Sequence, residues 1–536
     1  MSEIHDFIVV GSGCTGAMAA QTLVEAGTKV TMLDVGKEDK DYLSLIPDKD
    51  FNSIRKEDKD QYKYLIGKDF EGIPWGELST GAQLTPSRKF IIDSVDKYLQ
   101  LDSNTFFPME SLAIGGLGSG WGLGCCVFSK EELEIAGFDN SKMNDAYNWV
   151  SERIGVSGNK DDASPYTIGH LNNYQPAIEP DNNSKLLQSN YLKKRKNLND
   201  KGFYLGQPAL ALITKDLNGR KAFKYQDMDF YSDRDKSAYR PWITIEELKK
   251  NSNFNYISNR LVTKFSEENG IVSVYCIDTN TNEEIIYKTR KLILSPGVLG
   301  TARIVLRSFQ NSNKKLPIIS NPYCYIPCIQ PKMMGKEIEQ YKTGFAQLSL
   351  FHDEGRKNIN IAMASLYSYR SLMLFRLIKE MPINFNDGRI LMRYLLSGLV
   401  IMGIHHPEEG SKNKYLTLEK DSSSPTGDKM KAEYILSEEE KKDVRKREDK
   451  FVSALRSLGC YALKRVYPGH GSSIHYAGTL PFNMENKSFT LQPDGRLNDT
   501  QNVYVADGSG FKFLPAKGLT FSLMANAHNV AQSLIK

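Results

Sequence analysis

Metal and disulfide chemistry have little to draw on in this chain. Only eight histidines occur, no HExxH element is present, and no Cys/His group has the spacing of a zinc site, so no metal is expected. The seven cysteines are an odd number without a CxxC pair, and the adjacent Cys125 and Cys126 would strain a bridge, which argues against a disulfide framework. An excess of one charge is also lacking. Sixty-nine Lys+Arg against 64 Asp+Glu leave +5, and no nucleic-acid partner is expected from such a balance. The cluster Lys193-Lys194-Arg195-Lys196 reads as solvated surface. Long apolar runs are missing as well: the longest, Tyr394 to Ile404, falls short of the roughly 20 residues that span a bilayer. The first residues lack the basic and apolar regions of a signal peptide, so a soluble, cytoplasmic protein is expected. Ser371 to Lys379, with Arg376 and Lys379 among apolar residues, is read as core packing or a substrate-entry lid in preference to a membrane contact. No internal repeat or low-complexity tract interrupts the 536 residues, whose 40% hydrophobic and 25% charged content is that of a globular protein of two to four domains.

What is present begins at the N-terminus. Residues 6–10, DFIVV, have the continuous β-branched character of a buried parallel strand. Gly11-Ser12-Gly13-Cys14-Thr15-Gly16 follows at once, then a helical pattern carried by Ala17, Ala20, Leu23 and Val24 and stopped by Gly27. A second strand, 28–33, ends in Asp34. Gly11 permits the tight turn, Gly13 admits a pyrophosphate to the backbone, and Gly16 lets helix and strand pack closely. The helix start offers N–H groups and a positive dipole end to phosphates, and Asp34 can accept hydrogen bonds from a ribose. An acidic residue there disfavours NADP; this segment suits FAD and NAD alike.

Three further segments carry information. Ile114 to Phe128 (IGGLGSGWGLGCCVF) alternates glycines with Leu117, Trp121, Leu123, Cys125 and Val127, which suggests backbone lying against a flat ligand. Lys291 to Gly297 followed by VLGTARIVLRS reads as a strand, a small-residue turn and a helix, and 254–265 with 272–277 as antiparallel strands about the Glu268-Asn269-Gly270 turn. Near the C-terminus, 502–507 reads as a strand ending in Asp507-Gly508-Ser509, and 519–534 as a helix. Upstream lies His475-Tyr476-Ala477-Gly478-Thr479.

Together and in this order, these segments resemble the GMC (glucose-methanol-choline) family of FAD-dependent oxidoreductases. The tryptophan in the glycine-rich loop looks most like the pyranose oxidase branch and bacterial sugar-modifying relatives. The resemblance implies an α/β fold: a Rossmann-like FAD-binding domain, with a parallel sheet, helices and a small antiparallel sheet, plus an α+β substrate domain with an antiparallel sheet. It implies FAD-binding segments at 1–180, 251–315 and 461–536, a cap segment at 181–250 and a substrate domain at 316–460. FAD would meet Gly11, Gly13, Gly16 and Asp34 at its adenine end, with backbone near Val262 at the adenine. Gly115, Gly116 and Ser119 would lie beside the flavin, and Asp507 and Gly508 at its centre. Where the pyranose oxidase branch attaches flavin through a histidine this chain has Gly120, which implies non-covalent FAD.

The activity implied is oxidation of a CH–OH group, with oxygen or another electron acceptor as second substrate. His475 matches the family's base, and a neutral imidazole suits proton abstraction near neutral pH. His470 is a weaker candidate, and His528 is expected away from the flavin. Where the family carries a second polar residue this chain has Gly518, so either Lys517 beside it or a residue from elsewhere would supply that contact; Lys517 near the flavin could stabilise negative charge. The small-molecule alcohol is expected to be a sugar, amino sugar or polyol. A sterol-like alcohol is the alternative, drawn from Met and Phe in 371–402, and a non-redox flavin-binding lyase or binding subunit is a second one, drawn from Gly518. The Tyr-, Asp- and Arg-rich segment 221–240 reads either as a substrate contact or as a surface loop. In the substrate domain, 355–364, 399–406 and 414–418 read as strands, and Ser437 with Glu440 forms a capping box on a helix that Gly459 ends.

Overall fold

The computed structural model describes residues 3–73, 84–224, 231–339, 344–354, 360–368 and 373–535. The chain is α/β, built on two large sheets. The first has seven strands in the order Phe254–Ile257, Val30–Leu33, Ile4–Val10, Glu284–Leu294, Ile271–Asp278, Arg260–Glu268, with Val503–Val505 also paired to Glu284–Leu294. The strands at 4–10, 30–33, 254–257 and 503–505 run parallel with their neighbours, while 260–268 and 271–278 add an antiparallel extension. Residues 7–10, 30–33 and 292–294 are buried throughout, because both faces of the parallel part are covered and no position needs to be polar. One cover is the helix Cys14–Glu25, against which the C-terminal helix Thr520–Ser533 packs; Asn140–Ile154 packs in turn on the latter, with Tyr147 stacked on Phe521 at 5.0 Å.

Local chemistry sets the first crossover. Gly27, at φ +83°, closes the helix with its N–H on Val24 O and the Thr28 N–H on Leu23 O, a pattern that needs a left-handed residue after the cap. A Cβ on Gly16 would stand 1.9 Å from Gly11 O, and one on Gly11 would stand 2.8 Å from Ser295 O. The strand, turn and helix therefore pack backbone to backbone.

The second sheet is antiparallel, with six strands in the order Tyr461–Ala462, Tyr323–Ile329, Leu399–His405, Ala362–Ser368, Leu348–His352, Phe203–Gly206. Its period of two sorts the side chains. Cys324, Ile326, Ala364, Leu366, Met402 and Ile404 share a core with helices Asn182–Asn199 and Glu438–Ser457. The alternate residues face the other way, toward the first sheet. Ser437 caps the second of these helices, forming the expected box with Glu440, and Gly459 follows its end at φ +83°.

Several expectations need adjustment. The strand expected at 355–364 is found at Ala362–Ser368, and 355–359 lie outside the described residues. The apolar run 394–404 is divided between helix Phe385–Leu396 and strand Leu399–His405, since Gly398 turns the chain where a Cβ would stand 2.8 Å from Gln330 O. Strand Lys414–Lys420 joins a separate four-stranded sheet with Leu316–Pro317, Asp428–Tyr434 and Leu101–Asp102. Of 371–379, residues 371 and 372 lie outside the description and the helix begins at Met373. Lys193 to Lys196 are exposed on helix Asn182–Asn199. Among the described residues no helix is long and apolar enough to cross a membrane.

The close contact at Gly16 has a measurable consequence. Gly16→Ala forces the helix off the turn and is expected to destabilise the protein by about 1–3 kcal/mol, as overpacking does. The denaturant midpoint reads this, and an unchanged midpoint would contradict the contact.

Candidate active site

A single cavity of about 640 Å³ runs between the two sheets, within the roughly 300–1,000 Å³ that ligand pockets occupy. At one end lie Gly11, Gly13 and Asp34. The helix start after Gly13 has no side-chain cap, so its N–H groups remain available to an anion. Asp34 accepts hydrogen bonds on Oδ2 from Ser12 Oγ and, at 2.9 Å, from Tyr256 Oη. Burial pushes its pKa up to about 6 against the pull of those bonds. Ser12 Oγ in turn accepts the Gly115 N–H at 2.9 Å, which ties the fingerprint to the glycine-rich loop.

Gly116, Gly118, Gly120, Gly122 and Gly124 line the cavity in alternation, and the space before Gly122 and Gly124 is open where a Cβ would point. The intervening side chains are anchored: Trp121 Nε1 donates to Tyr239 O at 2.8 Å, and Leu123 is fully buried at φ +62°. Val262, Asp507 and Gly508 reach the same cavity. Asp507 is held by Thr301 Oγ1 at 2.6 Å and by Ser509 N and Oγ at 3.0 and 2.6 Å.

Not every expected residue arrives there. Gly16, Gly115 and Ser119 stand one layer behind the wall. Ser119 Oγ donates to Ile114 O at 2.6 Å and occupies the space that a Cβ on Gly115 would need. Lys517 is the largest departure. Its fully buried ammonium is directed away from the cavity, onto Glu132 Oε2 at 2.7 Å and Val127 O at 3.1 Å. Glu132 is itself buried, which raises its pKa against the pull of Lys517, so the pair satisfies itself. Gly518 does line the cavity, but a Cβ there would stand 2.8 Å from Gly124 O, and no side chain can occupy that place. His470 lies against Tyr434 outside the lining, and His528 stacks on Trp149 at 4.0 Å, far from it.

His475 does face the cavity. The residue before it, Ile474, has φ +60°, a conformation that a β-branched residue adopts only under tertiary constraint. Burial alone pushes the His475 pKa down to about 4, so the imidazole is neutral at ordinary pH. Its ring stacks 5.1 Å from that of His405, which burial and then the neighbouring His475 hold well below the usual value. In the sheet His405 pairs with Tyr323 on one side and Met363 on the other. The next row pairs Gly403 with Ser365, and a Cβ on Gly403 would stand 2.9 Å from Tyr323 Oη, so the glycine makes room for that ring. Tyr323 and Tyr367 both line this part of the cavity. None of these residues was singled out as a site residue from the sequence. Their signal was the alternation of the apolar strands, ending in the His405-His406 doublet.

Segment 221–240 is only partly a surface loop; 225–230 lie outside the described residues. Asp233 is buried and bridged by both Arg88 nitrogens, at 2.7 and 2.9 Å, and by Arg240 Nε at 3.4 Å. Burial works against ionisation there, but the two guanidiniums outweigh it and hold Asp233 below the usual carboxylate range.

No protein-family model matches the chain, and no curated protein matches it. Among solved structures, pyridoxine 4-oxidase from Mesorbium loti is similar, with a TM-score of 0.59 over 99% of each chain at 11% identity. What the two share is the fold. Its layers and their order along the chain extend over the full length of both.

Lys517→Met leaves Glu132 buried and unpaired, and is expected to destabilise by about 3–5 kcal/mol. The double change Lys517→Met with Glu132→Gln should recover much of the loss in denaturant unfolding. If Lys517→Met unfolds at the parent midpoint, the pair carries no stability.

Proposed function

We propose that this protein is a FAD-dependent oxidoreductase of the GMC type that oxidises the CH–OH group of a small, uncharged alcohol, with His475 as base. The observation that carries the reading is the meeting, in one cavity, of the glycine-lined cradle and a neutral histidine. Three segments far apart in sequence, within 11–15, 116–124 and 507–508, reach this cavity, which suits an extended dinucleotide better than a compact ligand. The uncapped helix start would hold the pyrophosphate and Asp34 a ribose hydroxyl. Gly120 offers no side chain for attachment, in keeping with non-covalent binding. Bound FAD supplies a two-electron acceptor for the hydride of the alcohol carbon.

The chain's own part is to bind the alcohol and take its proton. His475 is neutral at ordinary pH and half-buried with its open side on the cavity, so it accepts the hydroxyl proton without first losing one. His405, neutral beside it, is the second polar group in place of Lys517, and can donate one N–H to the oxygen as it gains charge. Tyr323, Tyr367 and Ser365 offer hydroxyls on the same wall, with Phe345 and Met363 as apolar surface. No ionised side chain stands among these residues around His475. That favours a neutral ring-bearing alcohol, a sugar or cyclic polyol among them, over an amino sugar; the Asp233 carboxylate of segment 221–240 is in any case neutralised by Arg88 and Arg240.

The test is the anaerobic visible spectrum of FAD-loaded protein with neutral sugars, polyols and aromatic alcohols against amino sugars and sugar acids. Bleaching by the neutral set alone is expected; no bleaching by any alcohol would remove the oxidoreductase reading. His475→Gln should keep FAD and lose about 10²–10⁴-fold in flavin reduction. Because burial lowers the histidine pKa, the reduction rate should hold from pH 7 to 5 and fall as pH approaches about 4. A limb centred near the ordinary histidine value of about 6.5 would contradict the burial argument.

A further inference from the structure

The ring nitrogen of His475 that is tied to protein decides what the other nitrogen can do. Nδ1 lies 2.9 Å from Asn321 Oδ1. Asn321 is 2% exposed, and its Nδ2 donates to three backbone carbonyls: His406 O at 2.7 Å, Pro515 O at 3.1 Å and Leu514 O at 3.3 Å. These contacts fix which way the amide points, because turning it over would set its oxygen against three carbonyl oxygens. The amide oxygen therefore faces the imidazole, and an amide oxygen can only accept.

We infer that Asn321 is a positioning residue that holds His475 as the neutral Nδ1–H tautomer, making Nε2 the atom that takes the alcohol proton. The inference rests on the proposed alcohol oxidation for its chemical meaning, although the tautomer itself follows from geometry. Burial removes the imidazolium from consideration, so the choice lies between two neutral forms. In the Nε2–H form the ring would present a proton to the hydroxyl instead of a lone pair, and Nδ1 would set its lone pair against that of the Asn321 oxygen. Both effects favour Nδ1–H. The proton balance is then closed: the hydroxyl O–H bond breaks, an Nε2–H bond forms, and Nδ1–H persists as the resulting cation's hydrogen bond to Asn321. Nε2 has no hydrogen-bond partner among the described residues and is open to the cavity. The three carbonyls come from the end of strand Leu399–His405 and from the segment before the terminal helix, so one amide registers the base against both layers.

The experiment is a long-range 1H–15N spectrum of FAD-loaded protein labelled at histidine, with His475 assigned by its loss in His475→Gln. Protonated Nδ1 and bare Nε2 are expected, and Nε2–H as the main form overturns the inference. Asn321→Leu should give mixed tautomers and slow flavin reduction about 10- to 100-fold while FAD stays bound. Asn321→Asp, held as a neutral carboxyl whose O–H donates to the carbonyls that Nδ2 served, keeps an acceptor for Nδ1–H and should retain that tautomer and a rate nearer the parent. Equal loss in both variants, with the His475 tautomer unchanged, would mean that Asn321 only holds the layers together, which also overturns it. Should Asn321→Leu fail to fold, the parent spectrum and Asn321→Asp still decide. If no alcohol reduces the parent flavin, the functional reading fails while the spectrum continues to report the tautomer.

Discussion

The cavity exists because backbone segments meet at distances that no side chain permits. Gly16 stands on the Gly11 carbonyl, Gly11 on Ser295, Gly518 on Gly124 and Gly508 on the Tyr476 carbonyl, where a Cβ would be 3.0 Å away. The first contact closes a local turn and the others join pieces distant in sequence; together they bring three stretches of bare backbone around one space. Side chains beside the space are fastened, as Trp121 is to Tyr239 O and Ser119 to Ile114 O. The glycines thus set both the shape of the fold's centre and the chemistry possible there, since backbone N–H groups and open room replace side chains.

Charge is managed by pairing within the walls. Lys517 with Glu132, Arg88 and Arg240 with Asp233, and Arg303 with Glu110 at 2.5 Å are each closed pairs or triads. Buried ions left single would be costly, so the fold satisfies them internally. Around His475 the remaining polar groups are neutral imidazoles, hydroxyls and an amide. In such a setting, under the proposed reaction, a proton gained by His475 would be the main new charge there, and the fixed Asn321 oxygen would accept the hydrogen bond from its Nδ1–H. Strain at Ile474 goes with His475 facing the cavity; its left-handed backbone persists because the surrounding layers determine it.

Much of this was legible in the sequence. The βαβ unit, its three glycines with separate duties, the strand-turn-helix at 291–308 and the capping box at Ser437 are all local patterns whose physics operates over a few residues, whereas His475 was singled out only through the family resemblance. Of the residues expected to meet a cofactor, Gly11, Gly13, Gly116 and Gly508 line the cavity. Side chains that could turn either way were not legible in this manner. Lys517 was expected at the cavity, and a buried carboxylate on another helix claims it. Gly518 looked like a lost residue, but it is a required one, because Gly124 O leaves no room.

The sequence alone determined which residues share a face and where turns are tight, because period and glycine chemistry are properties of a short stretch of chain. Only the tertiary structure decided which faces meet. Tyr323, Met363 and His405 become neighbours through antiparallel register, and His405 reaches His475 from a different layer altogether. Asn321 finds Nδ1 because three carbonyls from two distant segments fix its amide. Such choices depend on strand order and on pairing across hundreds of residues, and no local preference encodes them.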